Sequence, residues 1–279
     1  MAKEAKDEKE RQRLIQVHSG QADDLFELER YEEALKYYNY ALKYGPENSY
    51  VLTNKGNTLY QLGRYEEALD CFNQALESGA KNSITLYNMG LTFFALDRYE
   101  EAIECYDQAL ELNPDDPQIL MDKGNALFHL GEYQEALFNF DRSLELEPET
   151  PSTLYNKGNA LMALGRFHQA IECYDRALEQ KPDDQDILTN KAIAYIELGW
   201  FEDAKNILQM LLEENPQRAS NWYNLACIFA LQNQEKESLE RLQKAMNLNP
   251  EYREMAKKDP DFDLLKDSEA FKKLVSKPE

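Results

Sequence analysis

The chain has 279 residues, 43% hydrophobic and 11% aromatic, enough to bury a sizeable core and to exclude disorder throughout. Its 52 Asp+Glu against 31 Lys+Arg give a formal net charge of −21. A phosphate backbone would be repelled by such a surface rather than stripped of its counterions, so nucleic acid and anionic membranes are disfavoured and a neutral or basic protein partner is favoured.

Residues 1–14, MAKEAKDEKERQRL, form a charged N-terminal segment without the apolar stretch of a secretory leader. The longest wholly apolar run, LACIFAL at 225–231, falls short of the roughly 20 residues a membrane helix needs, and a cytoplasmic location is expected. From Ile15 to Tyr252 the chain rewrites one 34-residue phrase, aligned on Gly56, Gly90, Gly124 and Gly158, which predicts seven units: 15–48, 49–82, 83–116, 117–150, 151–184, 185–218 and 219–252. Positions 4, 8, 11 and 14 of a unit recur at helical spacing, as in Leu154, Gly158, Leu161 and Leu164. So do positions 17, 20, 21, 24, 27 and 28, as in Tyr99, Ala102, Ile103, Tyr106, Ala109 and Leu110, so each unit predicts two amphipathic helices.

Position 34 holds Asn48, Asn82, Asp116, Thr150 and Asp184, all N-cap acceptors, and Pro117 and Pro151 follow two of them as first helical residues. Gly63, Gly131, Gly165 and Gly199 supply left-handed residues for the turn between the helices. Small residues at positions 8 and 20 are expected to let the two backbones approach. After Tyr252 an eighth first helix begins, and Pro260 breaks it. Residues 253–279 then predict a capping segment, with Ser268 as an N-cap and Phe271, Leu274 and Val275 on one face.

A 34-residue helix-turn-helix period with an apolar residue at 4, an aromatic at 17 (Tyr31, Tyr65, Tyr99, Tyr133), alanine at 20 (Ala34, Ala68, Ala102, Ala136) and proline at 32 closely resembles the tetratricopeptide repeat family. The resemblance implies an all-α, right-handed superhelical α-solenoid with a C-terminal capping helix, whose first helices line a concave groove. It also implies a non-enzymatic adaptor or scaffold that binds a peptide segment of a partner there. The groove-facing positions here carry Asn54, Asn57, Tyr60, Tyr87, Asn88, Leu91, Phe94, Met121, Asn125, Phe128, Tyr155, Asn156, Asn159 and Asn190. An amide both donates and accepts, so an asparagine row can pair with an extended peptide backbone, and the aromatic and flexible apolar residues beside it would form side-chain pockets. The alternative reading is that these asparagines brace neighbouring helices and that the aromatics pack between units.

Family members that clamp a C-terminal carboxylate use lysine at position 5. This chain has Thr53, Tyr87, Met121, Tyr155 and Thr189 there, and its lysines, Lys55, Lys123, Lys157 and Lys191, stand at position 7. They are expected to lay their stems over the neighbouring helix and offset its acidic row. Four scattered cysteines, three histidines in different units, and no glycine-rich phosphate loop or HExxH motif predict neither metal nor cofactor nor catalysis. A homo-oligomer built through repeat ends or outer faces is the competing function.

Overall fold

An asparagine or aspartate before a helix can accept hydrogen bonds from the amides that its first turn leaves unpaired. Asn48 Oδ1 accepts from the Val51 amide at 3.1 Å, Asn82 from Thr85 at 2.7 Å, Asp116 from Gln118 and Ile119, and Asp184 from Asp186 and Ile187. Thr150 holds the same place, with extended backbone, but its side chain does not cap the helix. The computed structural model of the chain describes residues 2–79 and 82–276, with side chains from residue 7 onward. Residues 1, 80, 81 and 277–279, which include the ends of the charged segment and of the capping segment, lie outside the described residues.

Sixteen α-helices, one 3-10 turn and no strand occur among the described residues. They fall into two compact units, Met1–Pro148 and Glu149–Glu279. The first holds α1 (Ala2–Glu27), α2 (Tyr31–Tyr44), α3 (Ser49–Gln61), α4 (Tyr65–Glu77), α5 (Ser83–Ala95), α6 (Tyr99–Leu112), α7 (Pro117–His129) and α8 (Tyr133–Leu146). The second holds α9 (Pro151–Ala163), α10 (Phe167–Gln180), α11 (Gln185–Glu197), α12 (Phe201–Glu214), α13 (Ala219–Leu231), α14 (Glu235–Leu248), α15 (Tyr252–Lys258) and α16 (Glu269–Ser276). Within the first unit α1 continues back through residues that composition alone sets apart as a charged segment.

Each first helix ends in a left-handed residue. After α3 this is Gly63, with φ 72°, whose amide bonds the Tyr60 carbonyl while the Arg64 amide reaches back to Leu59, both at 2.9 Å. The pair of bonds satisfies two carbonyls at the helix end. The same turn is made by Glu29, Asp97 and Asn233, with φ near 57°, so glycine is not required at this place.

The small residue at position 8, expected to let two backbones approach, makes room for an aromatic ring of the second helix. A Cβ on Gly124 would lie 2.6 Å from Cε1 of Phe140, the position-24 residue of the same helix pair, and one on Gly56 would lie 2.5 Å from Phe72. The ring fills the space that a side chain on the glycine would need, and both phenylalanines are fully buried.

The lysines behave as wall residues where their pairs are seen. Lys123 Nζ meets Asp107 Oδ1 at 2.5 Å across α7 and α6, and Lys191 meets Asp175 at 2.5 Å across α11 and α10 while lying over the Tyr195 ring. In the second unit Ser268 Oγ accepts from the Ala270 and Phe271 amides and opens α16. Phe262, Leu265, Phe271 and Val275 then close over Cys227, Ala230, Leu242 and Met246, with Trp222 and Leu274 at the margin.

Candidate peptide-binding surface

The polar and aromatic residues expected to meet a peptide sit on the first helix of each pair, and their neighbours divide them into distinct groups. Tyr60, Phe94 and Phe128 are half-buried, each against the aromatic that opens its own second helix: Tyr65 at 5.5 Å, Tyr99 at 5.3 Å and Tyr133 at 5.3 Å between ring centroids. These contacts lie within helix pairs rather than between them. Leu91 is half-buried and Met121 is buried.

The amides differ more. Asn54 Nδ2 donates to Asp23 Oδ1 at 3.1 Å, bridging α3 to α1. Asn190 Nδ2 donates to Asn159 Oδ1 at 2.8 Å and to the Tyr155 hydroxyl at 3.1 Å, and Asn159 Oδ1 also accepts from Tyr174 at 2.8 Å, which ties α9, α10 and α11 together. Asn125 Nδ2 approaches Asp122 Oδ1 at 3.5 Å, and Asn156 is half-buried. Asn57 and Asn88 are also half-buried, but their side chains make no hydrogen bond to another described residue. Tyr87 is turned to Asp122 Oδ2 at 2.7 Å.

Two carboxylates emerge that pattern reading did not single out. Asp23 accepts from Tyr38 at 2.6 Å, Tyr50 at 2.8 Å and Asn54, and burial, reinforced by this carboxylate, pushes the Tyr38 hydroxyl's pKa upward. Asp122 accepts from Tyr87, Gln118 and Asn125, yet burial holds its pKa above the usual carboxylate range. A signal for the second was present: Asp122 interrupts a column otherwise formed by Asn54, Asn88, Asn156 and Asn190.

Other titratable groups are engaged in local structure. Glu67 and Glu101 are bonded by Arg64 and Arg98, which lowers both carboxyls. The four cysteines are buried free thiols, and burial pushes Cys105 up to about 11. Folding brings Cys227, Asp259 and Asp261 together with ligand atoms within 4.8 Å of one another. Asp259 there accepts from the Tyr223 hydroxyl at 2.6 Å and caps the 3-10 turn through the Asp261 amide at 2.9 Å, while burial raises the Cys227 thiol and the Asp261 carboxyl. The capping of the 3-10 turn by Asp259 accounts for the meeting of these groups. No described helix is long and apolar enough to cross a membrane.

Comparison with curated proteins gives no match. Among solved structures, a tetratricopeptide repeat protein from Parabacteroides merdae superposes with a TM-score of 0.67 at 19% identity, over 90% of this chain and 98% of that one. PilW, a type IV pilus biogenesis factor, gives 0.67 at 20% identity over 72% and 94%, respectively. YrrB, a tetratricopeptide repeat protein with an unusual peptide-binding site, gives 0.55 at 27% identity over 61% of this chain and 88% of its own. Sequence models of the tetratricopeptide repeat match residues 20–83, 83–116, 105–138, 127–187, 161–226 and 219–252. With its helix pairs, its shared turns and these matches running nearly end to end, the chain belongs to the tetratricopeptide repeat family.

Proposed function

We propose that the chain is a non-enzymatic cytoplasmic adaptor that holds an extended peptide segment of a partner protein along its first helices, principally α3, α5 and α7. Proteins of this family generally mediate protein–protein interaction and scaffolding, and the finer reading rests on one observation. The half-buried Asn57 and Asn88 carry amides that no described neighbour engages, beside the half-buried Tyr60, Phe94 and Leu91. Asparagine is a poor helix former, so an unpaired, repeated one has no stabilising role to explain it. The peptide-binding site of YrrB lends support from a relative.

Selection of a random peptide library on the full chain tests this. Enriched sequences should bind saturably and should cross-link to α3, α5 or α7. Enrichment of no sequence, or cross-links confined to second helices, contradicts the reading.

Self-assembly is the second reading, favoured by Phe138. This ring is 63% exposed on α8, where the equivalent residues Lys36, Asp70, Glu104 and Glu172 are charged. Light scattering over a concentration series separates the two: a constant monomer mass supports the adaptor, and growth abolished by Phe138→Lys supports assembly.

A further inference from the structure

Between α1, α2 and α3 of the first unit lies a cavity of about 190 Å³. It is smaller than the roughly 300–1,000 Å³ that drug-sized ligands occupy, and is on the scale of one side chain. Its walls include the rings of Phe26, Tyr38 and Tyr50, and two carboxylates, Asp23 and Glu27, stand one helical turn apart on α1. No lysine or arginine is among the residues that line it.

We infer that this cavity recognises a basic side chain, lysine or arginine, of the peptide bound along the first helices; the inference rests on the peptide-binding reading and names the chemistry of one anchor. Three features point to a cation. The Asp23 carboxylate is fixed before any ligand arrives, by the hydroxyls of Tyr38 and Tyr50 and the amide of Asn54 at 2.6, 2.8 and 3.1 Å. Its partners are all neutral, so its charge is oriented but not cancelled, and Glu27 adds a second negative charge within the same walls. Phe26 and Tyr50 put aromatic rings in the same walls, and an aromatic face attracts a guanidinium or ammonium group.

Asn57, also in the wall and with no hydrogen bond from its side chain to another described residue, supplies a further acceptor. An acidic side chain would meet Asp23 head on, and an apolar one would desolvate two carboxylates without return. A basic side chain satisfies every group in the wall and gains orientation at little cost, because the acceptor is held in place.

The test uses the isotopically labelled full chain and three probes: the N-acetyl N-methylamides of arginine, lysine and citrulline, the last a neutral isostere of arginine. In nuclear magnetic resonance titrations the two cations should saturate shifts of the Asn54 and Asn57 side-chain amides. Citrulline should not, and Asp23→Asn should weaken the cations about tenfold. Glu27→Gln, at an exposed position, keeps the test valid if the first variant perturbs folding, and should weaken them by a smaller factor. Equal binding of citrulline, or unchanged binding of the cations by both variants, overturns the inference.

Library-selected peptides keep this separate from the wider proposal. Peptides that cross-link to the first helices yet show no preference for a basic residue refute the pocket alone. Cations that titrate the cavity while selected peptides cross-link elsewhere leave the pocket standing and refute the groove.

Discussion

A buried hydroxyl is stabilising when it is paired and destabilising when it is not, and position 24 shows both cases. Tyr38 and Tyr174 send their hydroxyls to Asp23 and Asn159 at position 9 of the same helix pair. Tyr106 is as deeply buried, but the corresponding residue is Leu91, and its hydroxyl has no partner. Tyr106→Phe is therefore expected to raise stability by about 1 kcal/mol, whereas Tyr174→Phe lowers it by about the same amount. Urea denaturation midpoints of the two variants should move in opposite directions.

Asp122 carries a pH dependence whose sign is unusual for a carboxylate. Burial favours its neutral form, so the folded chain keeps this proton to higher pH than the unfolded chain does. The group's contribution is most favourable below the ordinary carboxylate range and is lost as pH rises through the raised folded value. Asp122→Asn restores the amide found elsewhere in the column and still accepts from Tyr87. Its Tm should exceed that of the wild type near neutrality, with the gap narrowing on acidification. A gap that widens on acidification would mean the carboxylate is stabilised in the fold by its three donors.

At the scale of the helix, the turn at position 15 sets one preference. Glu29 is exposed and adopts φ 57°; its amide donates to the Phe26 carbonyl at 2.8 Å, as glycine's would, and its side chain makes no hydrogen bond to a described residue, so Glu29→Gly should relieve the left-handed strain and add about 0.5–1 kcal/mol after the entropy of glycine is counted. Gly131→Ala should act in the opposite sense, and thermal melts of both variants check the pair.

Helix ends, turns and the small residue at position 8 were legible in the sequence because they depend on neighbours within one unit, which the period repeats. The partners of Tyr87 and Tyr155 were not. Their hydroxyls meet Asp122 and Asn190, one unit further on, and Tyr223 likewise meets Asp259. A repeat frame shows which positions are equivalent, but not which of several acceptors a long side chain reaches. The alternation of Tyr87, Tyr155 and Tyr223 with Thr53, Met121 and Thr189 was the available clue. The pocket at Asp23 was hidden for the same reason, since its walls come from three helices.

At the scale of the whole chain, a repeat array must end in something polar. In the second unit the C-terminal helices bury Phe262, Leu265, Phe271 and Val275 against α13 and α14. Removing residues 253–279 uncovers that face and should lower stability by several kcal/mol or cause aggregation, as seen by calorimetry and light scattering.

Asn57 and Asn88 decide whether the first helices hold a peptide through amides that folding leaves unengaged. The measurement is a melting curve beside a binding isotherm for a library-selected peptide, on the double variant Asn57→Ala/Asn88→Ala, with Asn190→Ala as reference. The double variant should be as stable as the wild type or more so, because alanine is the better helix former, while its affinity falls about tenfold. Asn190→Ala should lose about 1 kcal/mol of stability, having given up its bonds to Asn159 and Tyr155. A double variant that melts lower yet binds as well as the wild type would make these amides part of the scaffold and not of a binding surface.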